Sequence, residues 1–115
     1  ACLTVRKDWL AKNPGIAQRV LNALVKAQKE LALHPDELTS MLAKRLNIPE
    51  SDLKSIMAEQ HNRVTLDQVL LLAMEDEARW MQETGMVSGK ALPNFLHFID
   101  PVILKMVNPE AVKLK

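Results

Sequence analysis

The stretch TLDQVLLLAMEDEARWMQETG, residues 65–85, reads as a helix that carries its own start and stop. Thr65 followed by Gln68 makes a capping box: the Thr65 hydroxyl accepts from the Gln68 amide, and the Gln68 side chain returns to the Thr65 amide. At the other end Gly85 suits the left-handed residue that closes a helix, and Met86 is the apolar residue that folds back over such an end. Leu66, Leu70, Ala73, Met74, Ala78 and Met81 fall three or four apart and line one face. Val69, Leu71, Leu72 and Trp80 widen that stripe past half the circumference. A helix this apolar in its first half is expected to be covered on two sides, with the other helices packed around it.

Composition agrees with helix-on-helix packing. Of the 115 residues 48% are hydrophobic, yet the only aromatics are Trp9, Trp80, Phe95 and Phe98, so the expected core is aliphatic and rich in methionine. Fifteen basic and fourteen acidic residues leave a net charge of +1, a balance that points to neither a polyanion nor a membrane surface. No apolar run approaches the roughly 18 residues of a spanning helix, so membrane insertion is not expected. No leader is written in the chain, and Ala1 is not the residue expected at a natural start, so removal of a leader upstream is allowed for. Cys2 stands alone and forms no internal disulfide; it reads as a small strand residue rather than as a lipid-anchor cysteine.

In chain order, Cys2, Leu3, Thr4 and Val5 form a short β-prone run ended by Arg6-Lys7-Asp8. A lone strand needs a partner for its amides and carbonyls, so this opening suggests a fragment, or pairing with another chain. Asn13-Pro14 reads as cap and first residue of a helix whose inward face is Ile16, Val20, Leu24, Ala27 and Leu31. Pro35 ends that helix near His34 and opens the next, with Leu38, Met41, Leu42 and Leu46 as its buried edge. Asn47 turns the chain through positive φ. Pro49 starts a short helix with Leu53, Ile56 and Met57 inward, and residues 60–64 form a polar link. Beyond Gly85 the chain is apolar and punctuated by prolines. Asp100-Pro101 predicts a one- or two-turn helix over 101–106, and the last residues are expected to strap across a surface. The expected organisation is one helical domain or fragment: strand over 1–10, four helices over 13–84, and a strap with a short helix over 86–115.

Little in the chain has the pattern of catalytic chemistry. His34, His61 and His97 lie far apart, and none has a second ligand at metal spacing, so no metal site is expected. Glu75, Asp76 and Glu77 are adjacent and fan around a helix as a solvated face rather than an acid/base pair. The glycines Gly15, Gly85 and Gly89 make no phosphate loop, and no nucleophile dyad or triad is supported. Neither an enzyme nor a cofactor is expected.

The run LTSMLAKRLNIPESDLKSIM resembles the helix-turn-helix of small repressors and antitoxins, and NRVTLDQVLLLA resembles the next segment of those proteins. Charge opposes that reading. Its second helix would present Glu50, Ser51 and Asp52 where phosphate and base contacts are made, and nucleic acid is not an expected partner.

A resemblance over almost the whole chain carries further. TVRKDWLAKNPGIAQRVLNALVKAQKELALHPDELTSMLAKRLNI resembles the C-terminal part of the periplasmic solute-binding proteins of ABC importers, in the branch that binds nitrate, sulfonates, taurine and thiamine precursors. The matching marks are Asn13-Pro14, Ala23 with Lys26-Ala27, Pro35-Asp36-Glu37 and the segment Leu42-Ala43-Lys44-Arg45-Leu46-Asn47-Ile48. VTLDQVLLLAMEDEARWM, LPNFLHFID and VNPEAVKL resemble that family's later helices and closing strap.

By this resemblance the chain is roughly the last third of such a protein. Its fold is expected to be mainly α, a small multi-helix array with one short N-terminal strand, the helical completion of the first lobe of a type II binding protein. Residues 3–6 would be the strand that returns to that lobe from the hinge. Arg6 and Trp9 would then be the residues nearest a ligand or the hinge, against their plainer reading as a solvated charge and a core anchor. The resemblance implies capture of a small anionic or heterocyclic solute, an ABC permease as partner, a periplasmic location and self-association of the isolated piece. A helix-turn-helix regulator and a bare helical interaction module are the alternatives.

Overall fold

The computed structural model describes residues 2–89 and 91–115, which are mainly helical. They form α1 (Lys7–Lys12), α2 (Pro14–Leu33), α3 (Pro35–Leu46), α4 (Glu50–Glu59), α5 (Gln68–Glu83) and α6 (Val102–Val107). Short 3-10 turns cover Phe95–Phe98 and Pro109–Ala111. The chain divides into two compact units, one ending at Val64 and the other starting at Thr65.

The first unit obeys its punctuation. Asn13 and Pro14 start α2, and His34 ends it ahead of Pro35, which opens α3. Asn47 adopts φ 55°, and the Ile48 amide donates back to the Ala43 carbonyl at 3.0 Å, closing α3 with a left-handed residue. Pro49 then caps α4. Val25 of α2, Thr39 and Ala43 of α3 and Leu53 of α4 are buried. The Thr39 hydroxyl is satisfied by donating to the Pro35 carbonyl one turn back, at 2.6 Å.

The inward face of α2 is not the one its spacing suggests. Val25 is buried with Ala17, Leu21 and Gln28 half-buried beside it, whereas Ile16, Val20 and Leu24 stay about 41–42% exposed. The helix carries two adjacent apolar lines about 100° apart, and periodicity does not distinguish between them. Among the described residues the line with Val25 is the better covered of the two. The same rotation moves Met41 and Leu46 outward on α3, where Thr39 and Ala43 are buried, and Ile56 outward on α4.

No strand forms over residues 2–10, where Lys7 onward belongs to α1 instead; Ala1 of the expected strand lies outside the described residues. Residues 2–6 are exposed and lack regular structure, although Arg6 keeps extended angles (φ −70°, ψ 139°) before α1. The reason is the one that makes the run conspicuous: among the described residues nothing offers it a ladder partner. The sole β-type pairing found there is an isolated parallel bridge between Leu66 and Val112.

That bridge organises the second unit. The Leu66 amide donates to the Ala111 carbonyl at 2.9 Å, and the Lys113 amide donates to the Leu66 carbonyl at 2.7 Å. The Thr65 hydroxyl donates to the Ala111 carbonyl at 3.0 Å, so Thr65 anchors the returning strap instead of capping a helix. Asp67 is the cap of α5, its carboxylate accepting from the Val69 amide at 3.1 Å. A carboxylate two residues beyond Thr65 outcompetes a hydroxyl already engaged by the strap. At the other end Gly85, at φ 73°, closes α5: its amide donates to Gln82 and the Met86 amide donates to Met81 at 2.9 Å, the paired bonds of a Schellman end. Helix α6 forms where Asp100-Pro101 places it, with the Asp100 carboxylate accepting from Val102 at 3.0 Å. Leu71, Leu104 and Ala111 are buried in this unit. Among the described residues the expected cover on both sides of α5 is not found: Val69, Leu72 and Trp80 are exposed.

Burial ranks the leucines of the first unit for test. Leu53 is 6% exposed and Leu46 is 56% exposed. Leu53→Ala is expected to cost about 2–5 kcal/mol in urea unfolding, and Leu46→Ala less than about 1 kcal/mol. Equal losses would put Leu46 in the core.

Candidate functional site

The residues named from the sequence, Arg6 and Trp9, sit at the start of the first unit. Arg6 precedes α1 and donates twice to Asp8, at 3.0 and 2.8 Å, a bidentate pair on the surface. This fork occupies the guanidinium face that a bound anion would use. The Arg6 side chain is 83% exposed, so the pair is well solvated and screened. Trp9 lies on α1, 38% exposed, and its carbonyl accepts from the Asn13 carboxamide at 2.9 Å. Neither residue lines either of the two open clefts on the first unit.

The open clefts of the first unit lie elsewhere. A cleft of about 380 Å³ opens between the second half of α2, the start of α3 and the link after α4. Leu31, Ala32, Pro35, Thr39 and Met57 form its apolar part, while Gln28, Lys29, Gln60, Asn62 and Arg63 supply polar groups. The link is held in place by a long-range bond: the Val64 amide donates to the Gln28 side-chain oxygen at 2.7 Å. Asn62 donates its carboxamide hydrogen toward the Met57 sulfur at 3.8 Å. Among the described residues Lys29 and Arg63 make no ion pair, since the pairs found there involve Arg6, Lys54 and Arg79. Nothing in the sequence marks this cleft, because residues 60–64 read only as a polar connection. The one usable signal is Gln28, a carboxamide on the side of α2 that turns inward.

A second cleft, about 400 Å³, surrounds the left-handed turn at Asn47 and carries both Lys44 and Glu50. It lies on the helix pair that resembles a helix-turn-helix. There Lys54 bridges Glu50 at 3.2 Å and Asp36 at 3.5 Å. Glu50, through hydrogen bond and charge, and then Asp36 raise the Lys54 ammonium above its ordinary range. The first turn of α4 thus presents Glu50 and Asp52, with its nearest cation already committed.

On α5, Arg79 pairs with Asp76 at 2.6 Å and with Glu75 at 3.4 Å, so the acidic run is a solvated, self-paired face. Among the described residues no three His, Cys, Asp or Glu side chains gather at metal-binding distance, and Cys2 is free and exposed. No helix described is long and apolar enough to cross a membrane. Comparison with known proteins returns nothing: no family model matches the chain, and no curated protein or solved structure matches it.

The Arg6–Asp8 fork makes a titration test. The Arg6 hydrogen bonds hold the Asp8 carboxyl below its ordinary 3.8. Because the folded value is depressed, the pair's contribution is present above the ordinary carboxylate range and lost as pH falls through the lowered value. Carboxyl NMR titration is expected to place Asp8 below its free value and to return it upward in Arg6→Gln. A titration unchanged by that substitution would mean the fork does not persist in solution.

Proposed function

We propose that this chain is the helical completion of the first lobe of a periplasmic solute-binding protein that serves an ABC importer. In that role it does no chemistry. Two lobes close around a small anionic or heterocyclic solute, and the closed shape is what the membrane permease recognises. The helices stiffen the lobe so that closure is a hinge motion rather than a deformation.

The observation that carries the reading is the double apolar surface of α2. On one line Val25 is buried with Ala17 and Leu21 half-buried beside it, while Ile16, Val20 and Leu24 on the neighbouring line stay about 41–42% exposed. Natural surfaces rarely leave such a line open along a helix of 20 residues. A sheet supplied by the remainder of a lobe would cover it. Residues 2–6, extended at Arg6 and without a ladder partner, are then a strand waiting for that same sheet. The order of punctuation marks that resembles the family, from Asn13-Pro14 to Asn108-Pro109, adds weight, since a helix or 3-10 turn begins at each of these two pairs.

On this reading the periplasm is the location, the permease is the partner, and the solute is chosen by residues outside this chain. Separated from the rest, the chain self-associates through the open faces. A helix-turn-helix regulator is disfavoured by Glu50 and Asp52 on the first turn of α4 and by the commitment of Lys54 to Glu50 and Asp36.

Sequencing the genomic reading frame, then titrating its full product with nitrate, taurine, alkyl sulfonates and pyrimidines in a thermal melt, tests this directly. The expected frame carries alternating strands and helices for two lobes, and one solute class stabilises the product by about 2.7 kcal/mol at a hundredfold excess over its dissociation constant. Salt-dependent binding of duplex DNA by a frame without such lobes would overturn the reading.

A further inference from the structure

We propose that the cleft between α2, α3 and the link after α4 is a docking groove for an acidic peptide segment of a partner protein. The proposal concerns residues of the first unit alone and does not rest on the transport reading.

Charge comes first. Lys29 and Arg63 line the cleft; among the described residues no carboxylate lines it, and neither cation has an ion pair. Glu30 and Glu59 adjoin the lining residues in sequence but do not line the cleft themselves. The unit around it is basic as well: residues 1–64 hold ten Lys and Arg against seven Asp and Glu, a net +3 within a chain of +1. An anionic group entering here meets two free cations and no competing acid.

Shape then selects the kind of anion. Sites for small molecules enclose most of their ligand, about 70–90% of its surface. This cleft holds about 380 Å³ but opens broadly to solvent along the helices, so a small acid would stay wet on one side. An extended segment can cross such a groove, setting an apolar side chain on Pro35 and Met57. The Gln60 carboxamide has no partner among the described residues, and Asn62 offers its oxygen; groups of this kind pair with a peptide's amides and carbonyls. Carboxylates on the segment would reach Lys29 and Arg63, the latter through a bidentate fork. The link itself is fixed by the Gln28–Val64 bond, so the groove is formed before its occupant arrives.

The test is fluorescence anisotropy of the 115-residue chain with three labelled peptides: one of alternating Glu and Leu, its Gln-for-Glu isostere, and its Lys-for-Glu counterpart. The expected result is saturable binding of the acidic peptide only, weakening as salt rises. Arg63→Glu and Lys29→Glu should each lower affinity about tenfold or more, with thermal melting unchanged. Because both side chains are on the surface, these variants are expected to fold. Lys44→Glu, on the other cleft, should leave affinity as it was. Three outcomes would each overturn the proposal: equal binding of the isostere, no loss in the Lys29→Glu/Arg63→Glu double variant, or displacement of the peptide by succinate at equal concentration. The last would mark a small-anion site.

Discussion

Burial of one apolar line on α2, and not of the line beside it, is the constraint on which the rest of this structure depends. Burying Val25 leaves Ile16, Val20 and Leu24 exposed. The second line lies about 100° round the helix from the first, and the neighbours that cover Val25 leave it about 41–42% exposed. Among the described residues no large side chain is wholly enclosed.

The second unit solves a similar problem differently. Its helix α5 is pinned at the start by a strap that returns through Ala111 to Lys113 and clasps Leu66 with two backbone bonds, with Thr65 adding a third from its side chain. Clasping fixes where α5 begins and closes its end of the core around Leu71, Leu104 and Ala111. It does not cover the far side, where Val69, Leu72 and Trp80 remain open. Both units thus combine sound local closure with apolar surface left exposed.

Local signals in the sequence are faithful here and long-range ones are not. Asn13-Pro14, Pro35, Asn47, Gly85 and Asp100-Pro101 each act where they stand, because backbone restriction and capping involve only residues a turn away. Thr65 departs from its capping box because Ala111, 46 residues on, takes its hydroxyl, leaving Asp67 to cap. The face of α2 is undetermined by sequence for a different reason: two adjacent lines of apolar residues satisfy the same period, and the packing partner selects the one that carries Ala17, Leu21 and Val25. The β-prone opening has the right composition, but a strand is a property of two segments. As for sites, Arg6 is drawn into a local fork with Asp8, while the cleft of Gln28, Lys29 and Arg63 is assembled across 36 residues by the Gln28–Val64 bond. No spacing rule reports such an assembly.

The most direct measurement is sedimentation equilibrium, with circular dichroism alongside, on the chain and on its Ile16→Glu/Val20→Glu/Leu24→Glu variant. If the open line is an outward surface that belongs against a scaffold, the parent chain self-associates and the variant is a monomer of undiminished helix content. A variant that unfolds would place those three residues in the core. A parent chain that stays monomeric at high concentration and binds no apolar dye would show that the line needs no cover, and either result would contradict the account.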